Sequence, residues 1–470
     1  MSVLIRAFKS SLGLVLAAAL ATSCKPADPQ PTAIPPVTTP TASPAPTQSQ
    51  YGTPFASVPN REDAVIYQVN MRAFSQAGNF AGVTARLDSI KALGVNVVYL
   101  MPIYPVGQVK SVNSPYCVKD YLSVNPEFGT LTDLRTLVDG VHARGMSVML
   151  DWVANHTSYD NAWITAHPDW YLRDAAGNIL PPPNTTYTDV AQLDFTNSAM
   201  RLAMIAAMKS WVYTANVDGF RCDYADPIPA DFWTQAIDTL HNVKTHKLLL
   251  LAEGTRSANF TAGFDYNFGF SFYGGLRGVY GSGGAATSLT TLNTSEYAGA
   301  TGTQQVVRYT TNHDVNGSDG TPVALYGGNA GAMSAFVVAS CFKGIPFIYN
   351  GQEAGMTTPI TFPFTTIKVQ WGAHPEVKLA YQQLLKARAA SPALQHGVPV
   401  SYSSSDVCAF TKTAGSDQAL VLANVRNSAV TYSVPATLAN TSWTNALQGG
   451  SYTLGSQLTL PAYGYVVLKK

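Results

Sequence analysis

Polar residues end several short apolar runs in this chain of 470 residues. They are Asp151, Asn155 and His156 in Asp-Trp-Val-Ala-Asn-His, Arg221 and Asp223 in Gly-Phe-Arg-Cys-Asp, Glu253 after Ala252, and His313 and Asp314 in Asn-His-Asp. A single carboxylate in such a place can equally cap the next helix or pair with an arginine. Three carboxylates that end separate runs are harder to explain in that way. They indicate an acid–base site, because retaining glycoside hydrolysis needs a carboxylate nucleophile beside a carboxylic acid.

The spacing of Arg221 and Asp223 adds a second indication. Residues two apart on a strand point to the same side, so the permanently charged guanidinium is expected to lie beside the carboxylate. A neighbouring cation favours the ionised carboxylate, which is the form that a nucleophile must take.

The elements that must position these residues alternate between short β-rich runs and longer helical stretches, which is typical of a parallel barrel. The predicted strands are 64–70, 95–101, 147–152, 217–223, 248–253, 263–268, 306–311 and 345–350. The stretch 131–143 has apolar residues at helical spacing, and Thr130 followed by Asp133 predicts a cap at its start. The active site of such a barrel lies at the carboxyl ends of the strands, where the polar residues stand.

Three further segments complete the predicted organisation of the chain. The barrel is expected over residues 51–396, with a small inserted subdomain at about 157–195 that is rich in Pro, Asn and aromatic residues. From residue 397 to residue 470 the helical periodicity gives way to short alternating runs, at 407–410, 419–424, 430–434, 457–460 and 464–468. These runs predict a C-terminal β-sandwich.

The amino-terminal segment has the features of an export signal. Residues 1–24 combine Arg6 and Lys9 with an apolar run and small residues before Cys24. Leu20-Ala-Thr-Ser-Cys24 resembles a lipobox, which implies a lipid-anchored protein of the cell envelope or cell surface, tethered by the Pro/Thr-rich stretch 25–50. Cleavage after Ala19-Leu20-Ala21 is the alternative, and it would give a freely secreted protein.

Composition restricts the other partners. Charged residues make up 12% of the chain and the formal net charge is +1, which argues against a nucleic-acid partner. The remaining cysteines, Cys117, Cys222, Cys341 and Cys408, have neither CxxC spacing nor an obvious pairing. We therefore expect no metal cluster and no required disulfide.

The ordered motifs resemble the α-amylase family of glycoside hydrolases from about residue 64 to the carboxyl terminus. They are Asp151-Trp-Val-Ala-Asn-His156, Gly219-Phe-Arg-Cys-Asp223, Ala252-Glu253, Asn312-His-Asp314 and Gly344-Ile-Pro-Phe-Ile-Tyr-Asn-Gly-Gln-Glu353. The resemblance implies a (β/α)₈ TIM barrel with a short inserted B domain and a C-terminal all-β sandwich. It implies Asp223 as nucleophile, Glu253 as general acid/base and Asp314 as the third carboxylate, with Tyr116, His156, Arg221 and His313 in contact with substrate. Asp151 would orient Arg221 instead of taking part in the chemistry.

The sequence also departs from the family's pattern. Asp226-Pro227 replaces a Lys-His pair that contacts the acceptor sugar in many members, and Ser114 replaces a histidine. Asn155 matches a calcium ligand of the family, but Gln192 stands where that site has an aspartate. Because hard cations prefer charged oxygen ligands, a structural calcium ion at Asn155 is an open question. No cofactor is needed for the chemistry itself.

The leading hypothesis is an endo-acting α-amylase that hydrolyses internal α-1,4 bonds of starch or maltodextrins through a covalent glycosyl-enzyme intermediate. An exo-acting α-glucosidase or an α-glucan transglycosylase is the first alternative, because the covalent half-reaction is shared and only the acceptor differs. A non-catalytic surface glycan-binding protein is the second, since fold alone does not establish activity. The intact set of three carboxylates argues against this last alternative.

The lipobox resemblance makes a prediction about the location of the protein. The Cys24→Ala variant should leave the membrane fraction and appear in the soluble fraction, because the residue that would carry the lipid is gone. Its specific activity on starch should not change, since the tether carries none of the predicted site residues. Immunoblots of fractionated cells and an activity assay on each fraction measure both quantities. A variant that stays bound to the membrane would contradict the lipid anchor.

Overall fold

A computed structural model describes residues 49–470, and the predicted signal, tether and Cys24 lie outside the described residues. Its centre is a closed barrel of eight parallel strands, which confirms the predicted (β/α)₈ fold. In chain order the barrel strands are Ile66–Val69, Val97–Leu100, Ser147–Trp152, Gly219–Cys222, Leu249–Ala252, Tyr266–Phe268, Gln305–Arg308 and Ile345–Tyr349. They are referred to below as the first to the eighth barrel strand. Each of the eight predicted segments contains or overlaps one of them.

Helices follow the strands and cover the outside of the barrel. The longer helices are Leu131–His142, Ser198–Ala215, Ala230–His241, Phe270–Gly281, Ser288–Glu296, Gly328–Cys341 and Pro375–Ala389. Shorter ones are Met71–Phe74, Phe80–Thr84, Leu87–Ala92, Trp163–Ala166, Ser257–Ala262, His313–Ser318, Pro322–Leu325 and Pro392–His396. The predicted cap is present, because the Asp133 backbone N–H donates to Thr130 Oγ1 at 3.2 Å and the Thr130 N–H donates back to Asp133 at 2.8 Å. No helix in the range 49–470 is both long and apolar enough to cross a bilayer.

The insertion and the C-terminal domain are built from antiparallel strands. In the insertion, His156–Ser158 pairs with Val190–Gln192. In the C-terminal domain a six-stranded sheet contains Val400–Ser401, Val407–Ala414, Asp417–Asn424, Thr441–Asn445, Ser451–Leu454 and Tyr465–Lys469, and a two-stranded sheet contains Val430–Ser433 and Gln457–Leu460. The sequence analysis missed 400–401, 441–445 and 451–454. The latter two strands are mostly polar and each buries a single side chain, so they lack an apolar alternation that could be recognised.

A buried ion pair holds the seventh barrel strand in place. Arg308 lies in that strand with its side chain fully buried, and it pairs with Glu296 at the end of the preceding helix. Its guanidinium also donates to Asn293 Oδ1 at 2.9 Å and to the Lys343 carbonyl at 2.9 Å, just before the eighth strand. One side chain therefore links the seventh strand to its preceding helix and to the segment before the eighth strand. The helix His313–Ser318 follows the seventh strand in the chain.

This ion pair predicts a large loss of stability when one partner is removed. Glu296→Gln leaves the buried guanidinium without a counter-charge, which typically costs about 3 to 5 kcal/mol of unfolding free energy. The control is Asp88→Asn, which removes an exposed ion pair with Arg144 and should leave stability unchanged. Urea unfolding followed by tryptophan fluorescence compares the two variants with the wild type. Equal midpoints for the two variants would contradict this assignment.

Candidate active site

A single guanidinium joins three carboxylates at the carboxyl ends of the third, fourth and fifth barrel strands. Arg221 Nη1 donates to Asp151 Oδ1 at 2.7 Å and to Asp223 Oδ1 at 2.9 Å, and its Nη2 lies 2.7 Å from Glu253 Oε1. The arginine side chain is 1% exposed, whereas those of Asp223 and Glu253 are 13% and 17% exposed. The two carboxylates predicted to do the chemistry therefore face the cleft, and the cation that holds them does not.

Strand register explains why these residues meet. Asp151 on the third strand is directly opposite Arg221 on the fourth. The hydrogen-bond ladder continues beyond the strand ends, where the Asp223 N–H donates to the Trp152 carbonyl and the Glu253 N–H donates to the Cys222 carbonyl, both at 2.9 Å. Arg221 and Asp223 point to the same side, as their spacing predicted.

The electrostatics of the cluster favour the retention of one proton. Burial raises the pKa of Asp223, and the carboxylates of Glu253 and Asp151 raise it further, whereas Arg221 acts in the opposite direction. Three carboxylates against one guanidinium leave an excess of negative charge that a proton relieves. Arg221 acts against these effects and favours the ionised form of Asp223, which is the form that a nucleophile needs.

The turn after Asp223 gives Glu253 a second fixed contact. The Tyr224 backbone N–H donates to Glu253 Oε2 at 2.7 Å. Tyr224 has φ of 46°, in the left-handed region that a tyrosine rarely adopts. Backbone strain of this kind concentrates at functional sites, and here it directs an N–H group toward the predicted acid/base.

Asp151 is the buried member of the cluster, on the side away from the cleft. It is fully buried and accepts hydrogen bonds from the Tyr99 hydroxyl at 2.5 Å and the Tyr116 hydroxyl at 2.9 Å, in addition to the one from Arg221. With its oxygens occupied by three donors and shielded from the cleft, Asp151 fixes the orientation of Arg221. The sequence analysis missed Tyr99, although a polar hydroxyl in an otherwise apolar predicted strand was a usable signal.

The hydrogen bonds of His313 determine its tautomer. Gln68 accepts from the His313 backbone N–H at 3.3 Å, so its amide nitrogen faces His313 Nδ1 at 2.7 Å and donates to it. The proton is therefore on Nε2, which donates to the Tyr116 hydroxyl at 2.7 Å. Burial lowers the pKa of His313 to about 4, so the ring is neutral near pH 7. It stacks on the Tyr116 ring at 5.4 Å between centroids.

Asp314 is the most accessible of the predicted catalytic carboxylates. It lies in the first turn of the helix His313–Ser318, and 55% of its side chain is exposed. Its Oδ1 lies 3.3 Å from His313 Nε2. This carboxylate is thus available to sugar hydroxyl groups.

Tyr187, in the insertion, is a further cleft residue that the sequence analysis missed. Its side chain is 52% exposed. Burial of the remainder raises its pKa, and the charges of Asp314, Asp223 and Glu253 add to that effect, so the ring stands near all three carboxylates. Nothing in the local sequence distinguishes this tyrosine from others in the insertion.

Asn155 and Gln192 form a reciprocal pair of amides where the family resemblance implied a calcium ion. Asn155 Nδ2 donates to Gln192 Oε1 at 2.9 Å, and Gln192 Nε2 donates to Asn155 Oδ1 at 3.2 Å. Asp194 accepts instead from the Thr196 N–H at 2.9 Å within a local turn. Within residues 49–470 no group of three His, Cys, Asp or Glu side chains has the arrangement of a metal site. This neutral, mutually bonded pair does not fit a hard dication.

His156 and Asp226 flank the cluster. His156 is 5% exposed, its Nε2 lies 3.2 Å from the Tyr116 carbonyl, and burial lowers its pKa to about 4. Asp226 accepts from the Thr255 N–H at 2.9 Å and from Asn259 Nδ2 at 2.8 Å. It therefore braces the loop that follows Glu253, and its oxygens are occupied by protein donors.

Comparison with known proteins identifies the family. The family model of the alpha amylase catalytic domain matches residues 51–176 and 183–383, and that of the alpha-amylase SusG C-terminal domain matches residues 407–467. Alpha-amylase MalA from Haloarcula japonica is 26% identical over 398 residues, which cover 80% of this chain and 57% of that relative. A cyclomaltodextrinase from Geobacillus thermopakistaniensis is 25% identical over 429 residues, covering 83% of this chain and 70% of that protein.

A solved structure agrees with the sequence relatives. That of an alpha-amylase from Lactobacillus plantarum superposes with a TM-score of 0.76 at 29% identity, and the match covers 87% of this chain and 99% of that one. The catalytic-domain model covers well over half of the chain and includes every residue of the carboxylate cluster. The chain therefore belongs to the α-amylase family of glycoside hydrolases, and it is an enzyme.

Proposed function

We propose that the protein is a retaining, endo-acting α-amylase that cleaves internal α-1,4 bonds of starch or maltodextrins. The observation that carries the proposal is the attachment of Asp223 and Glu253 to the two ends of one guanidinium. This shared partner favours a short separation of the carboxyl groups. Retaining enzymes need about 5 to 5.5 Å between them, whereas inverting enzymes need about 6.5 to 9.5 Å for an intervening water.

The proposed reaction has two steps. Asp223 attacks the anomeric carbon while Glu253 gives its proton to the departing glycosidic oxygen, so that a covalent glycosyl-enzyme ester forms and the first product leaves. Glu253, now ionised, takes a proton from a water that attacks the same carbon and releases Asp223. Arg221 and Tyr224 N–H hold the carboxylates in place throughout, and Asp314 binds hydroxyl groups of the distorted sugar.

One structural observation and the predicted export favour endo action on a polymer. The side chains of Asp314 and Tyr187 on the cleft are each more than half exposed, which leaves room for a chain that continues past the reacting sugar. Export also fits this substrate, because large glucans do not enter a cell. An exo-acting α-glucosidase or a transglycosylase is the alternative. We retain it because relatives of the chain include a cyclomaltodextrinase and an oligo-1,6-glucosidase. Product analysis over time on amylose separates the two, since endo action gives long oligosaccharides first.

The proposal includes the location of the enzyme. A lipid anchor on Cys24 would keep it at the cell envelope or cell surface, and the Pro/Thr-rich stretch 25–50 would hold the catalytic barrel away from the membrane. Such an enzyme would release oligosaccharides close to the cell that takes them up.

The mechanism predicts the loss of activity in two isosteric variants. Asp223→Asn removes the nucleophile and Glu253→Gln removes the proton donor, so each should lower kcat on soluble starch by at least about 10²-fold. The control Asp231→Asn neutralises a carboxylate on an outer helix that pairs with Arg201, and it should keep full activity. Reducing-sugar assays and melting temperatures measure both effects. More than about a tenth of wild-type activity in either active-site variant would exclude the assignment, given the usual size of acid–base catalysis.

We further propose that the fold does not depend on calcium at Asn155. A ligand that binds only the native state raises its stability by RT ln(1 + [L]/Kd), so melting with calcium and with EDTA measures occupancy. Because the amide oxygens of Asn155 and Gln192 are bonded to each other, we expect a shift below about 3 °C. A larger drop on adding EDTA would reveal a calcium site. Restoring the family's ligand with Gln192→Asp should make the shift larger.

A further inference from the structure

A row of four aromatic rings leads from the active site to the surface. Tyr116 stacks on His313 at 5.4 Å between centroids, His313 meets Phe364 edge-on at 6.3 Å, and Phe364 meets Phe362 edge-on at 5.8 Å. We call this row the ring ladder. Phe364 is 4% exposed, but Phe362 at the outer end is 52% exposed. The ladder thus connects Tyr116, a predicted substrate contact, to an aromatic ring on the surface.

The loop that carries Phe362 is fixed in place. Arg72 donates to the Pro363 carbonyl at 3.0 Å and to the Asn113 carbonyl at 2.8 Å, and it pairs with Glu127 at 2.8 Å. Phe364 has φ of 72°, a strained conformation for a bulky residue, and its buried ring contacts hold it there. Phe362 is therefore exposed on a rigid base, so little conformational entropy would be lost when a ligand packs on it.

The position of the ladder in the barrel indicates which end of the substrate it meets. Glu253 follows the fifth barrel strand and protonates the departing oxygen, so the acceptor side of the cleft lies near that strand. Phe362 lies in the loop after the eighth strand, which is three strands away from the fifth in the closed barrel. This loop is held by Arg72, which follows the first strand, and the first strand is diametrically opposite the fifth. The ladder is accordingly on the donor side, where the non-reducing part of the glucan lies.

A single exposed phenylalanine would be unremarkable, since apolar atoms form much of any protein surface. Phe362 differs because its ring continues a row that begins at the site and because the carbonyl of the next residue, Pro363, accepts from a buried arginine. We propose that Phe362 is a platform on which a glucosyl unit of the substrate, on the donor side of the scissile bond, lays its apolar C–H face. The proposal rests on the proposed α-glucanase function and names a binding position for that function.

The test uses Phe362→Ala, the rescue variant Phe362→Tyr, and Leu202→Ala as a control that truncates another exposed apolar side chain on an outer helix. The substrate is maltoheptaose labelled at its reducing end, and the readouts are kcat, KM and the distribution of cleaved bonds. We expect Phe362→Ala to lower kcat/KM by about fivefold, mainly through KM, which is the size of one aromatic contact. Cleavage should shift toward the non-reducing end, because binding modes with many sugars on the donor side lose a contact.

The remaining outcomes are distinguishable. Phe362→Tyr and Leu202→Ala should match the wild type in rate and cleavage pattern, and all variants should keep the wild-type melting temperature. An active wild type with an unchanged pattern in Phe362→Ala would overturn the platform and leave the proposed function intact. A shift toward the reducing end would overturn the donor-side placement. A wild type that cleaves no α-glucan would overturn the proposed function and the platform together.

Discussion

The binding of three carboxylates by Arg221 is the constraint on which the rest of the site depends. Carboxylates buried at the end of a barrel would repel one another and take up protons if no cation lay between them. A lysine could not replace this arginine, because the planar fork binds Asp151 and Asp223 through one nitrogen and Glu253 through the other. The arrangement requires correct register between the third, fourth and fifth strands. The same strand pairing therefore stabilises the barrel and sets the geometry of the site.

The sequence predicted most of this architecture because the relevant signals are local. Barrel strands are buried on both faces and appear as apolar runs, and a polar residue that ends such a run is visible without a structure. The pairing of Arg221 with Asp223 followed from a spacing of two residues. The contact of Gln68 with His313 did not follow, since it joins the first strand to the segment after the seventh and depends on the closure of the barrel. The contact of Tyr99 with Asp151 joins neighbouring strands, but its partner depends on their exact register. Tyr187 and Phe362 lie on loops whose course no periodicity encodes.

The insertion illustrates how one residue, Gln192, changes the local contacts between the insertion and the barrel. Gln192 is on an insert strand directly opposite His156, and its amide bonds back to Asn155 on the barrel side. The insertion is thereby attached to the barrel side through a neutral amide pair. A charged ligand at position 192 would leave an excess of negative charge there, which a cation would have to balance. On our proposal, the neutral Gln192 removes that requirement while retaining the contact with Asn155.

The two ends of the cleft have different physical characters, and this difference bears on specificity. On the side of Glu253, Asp226 is occupied by backbone and amide donors of the following loop, so it offers little to an incoming acceptor. On the opposite side a rigid row of rings extends from Tyr116 to Phe362. If Phe362 binds the donor side as proposed, affinity on that side would hold the glycosyl part while the leaving part departs, and a weakly held acceptor position would be open to water. Such an asymmetry would favour hydrolysis over transfer to another sugar, since transfer requires a well-bound acceptor.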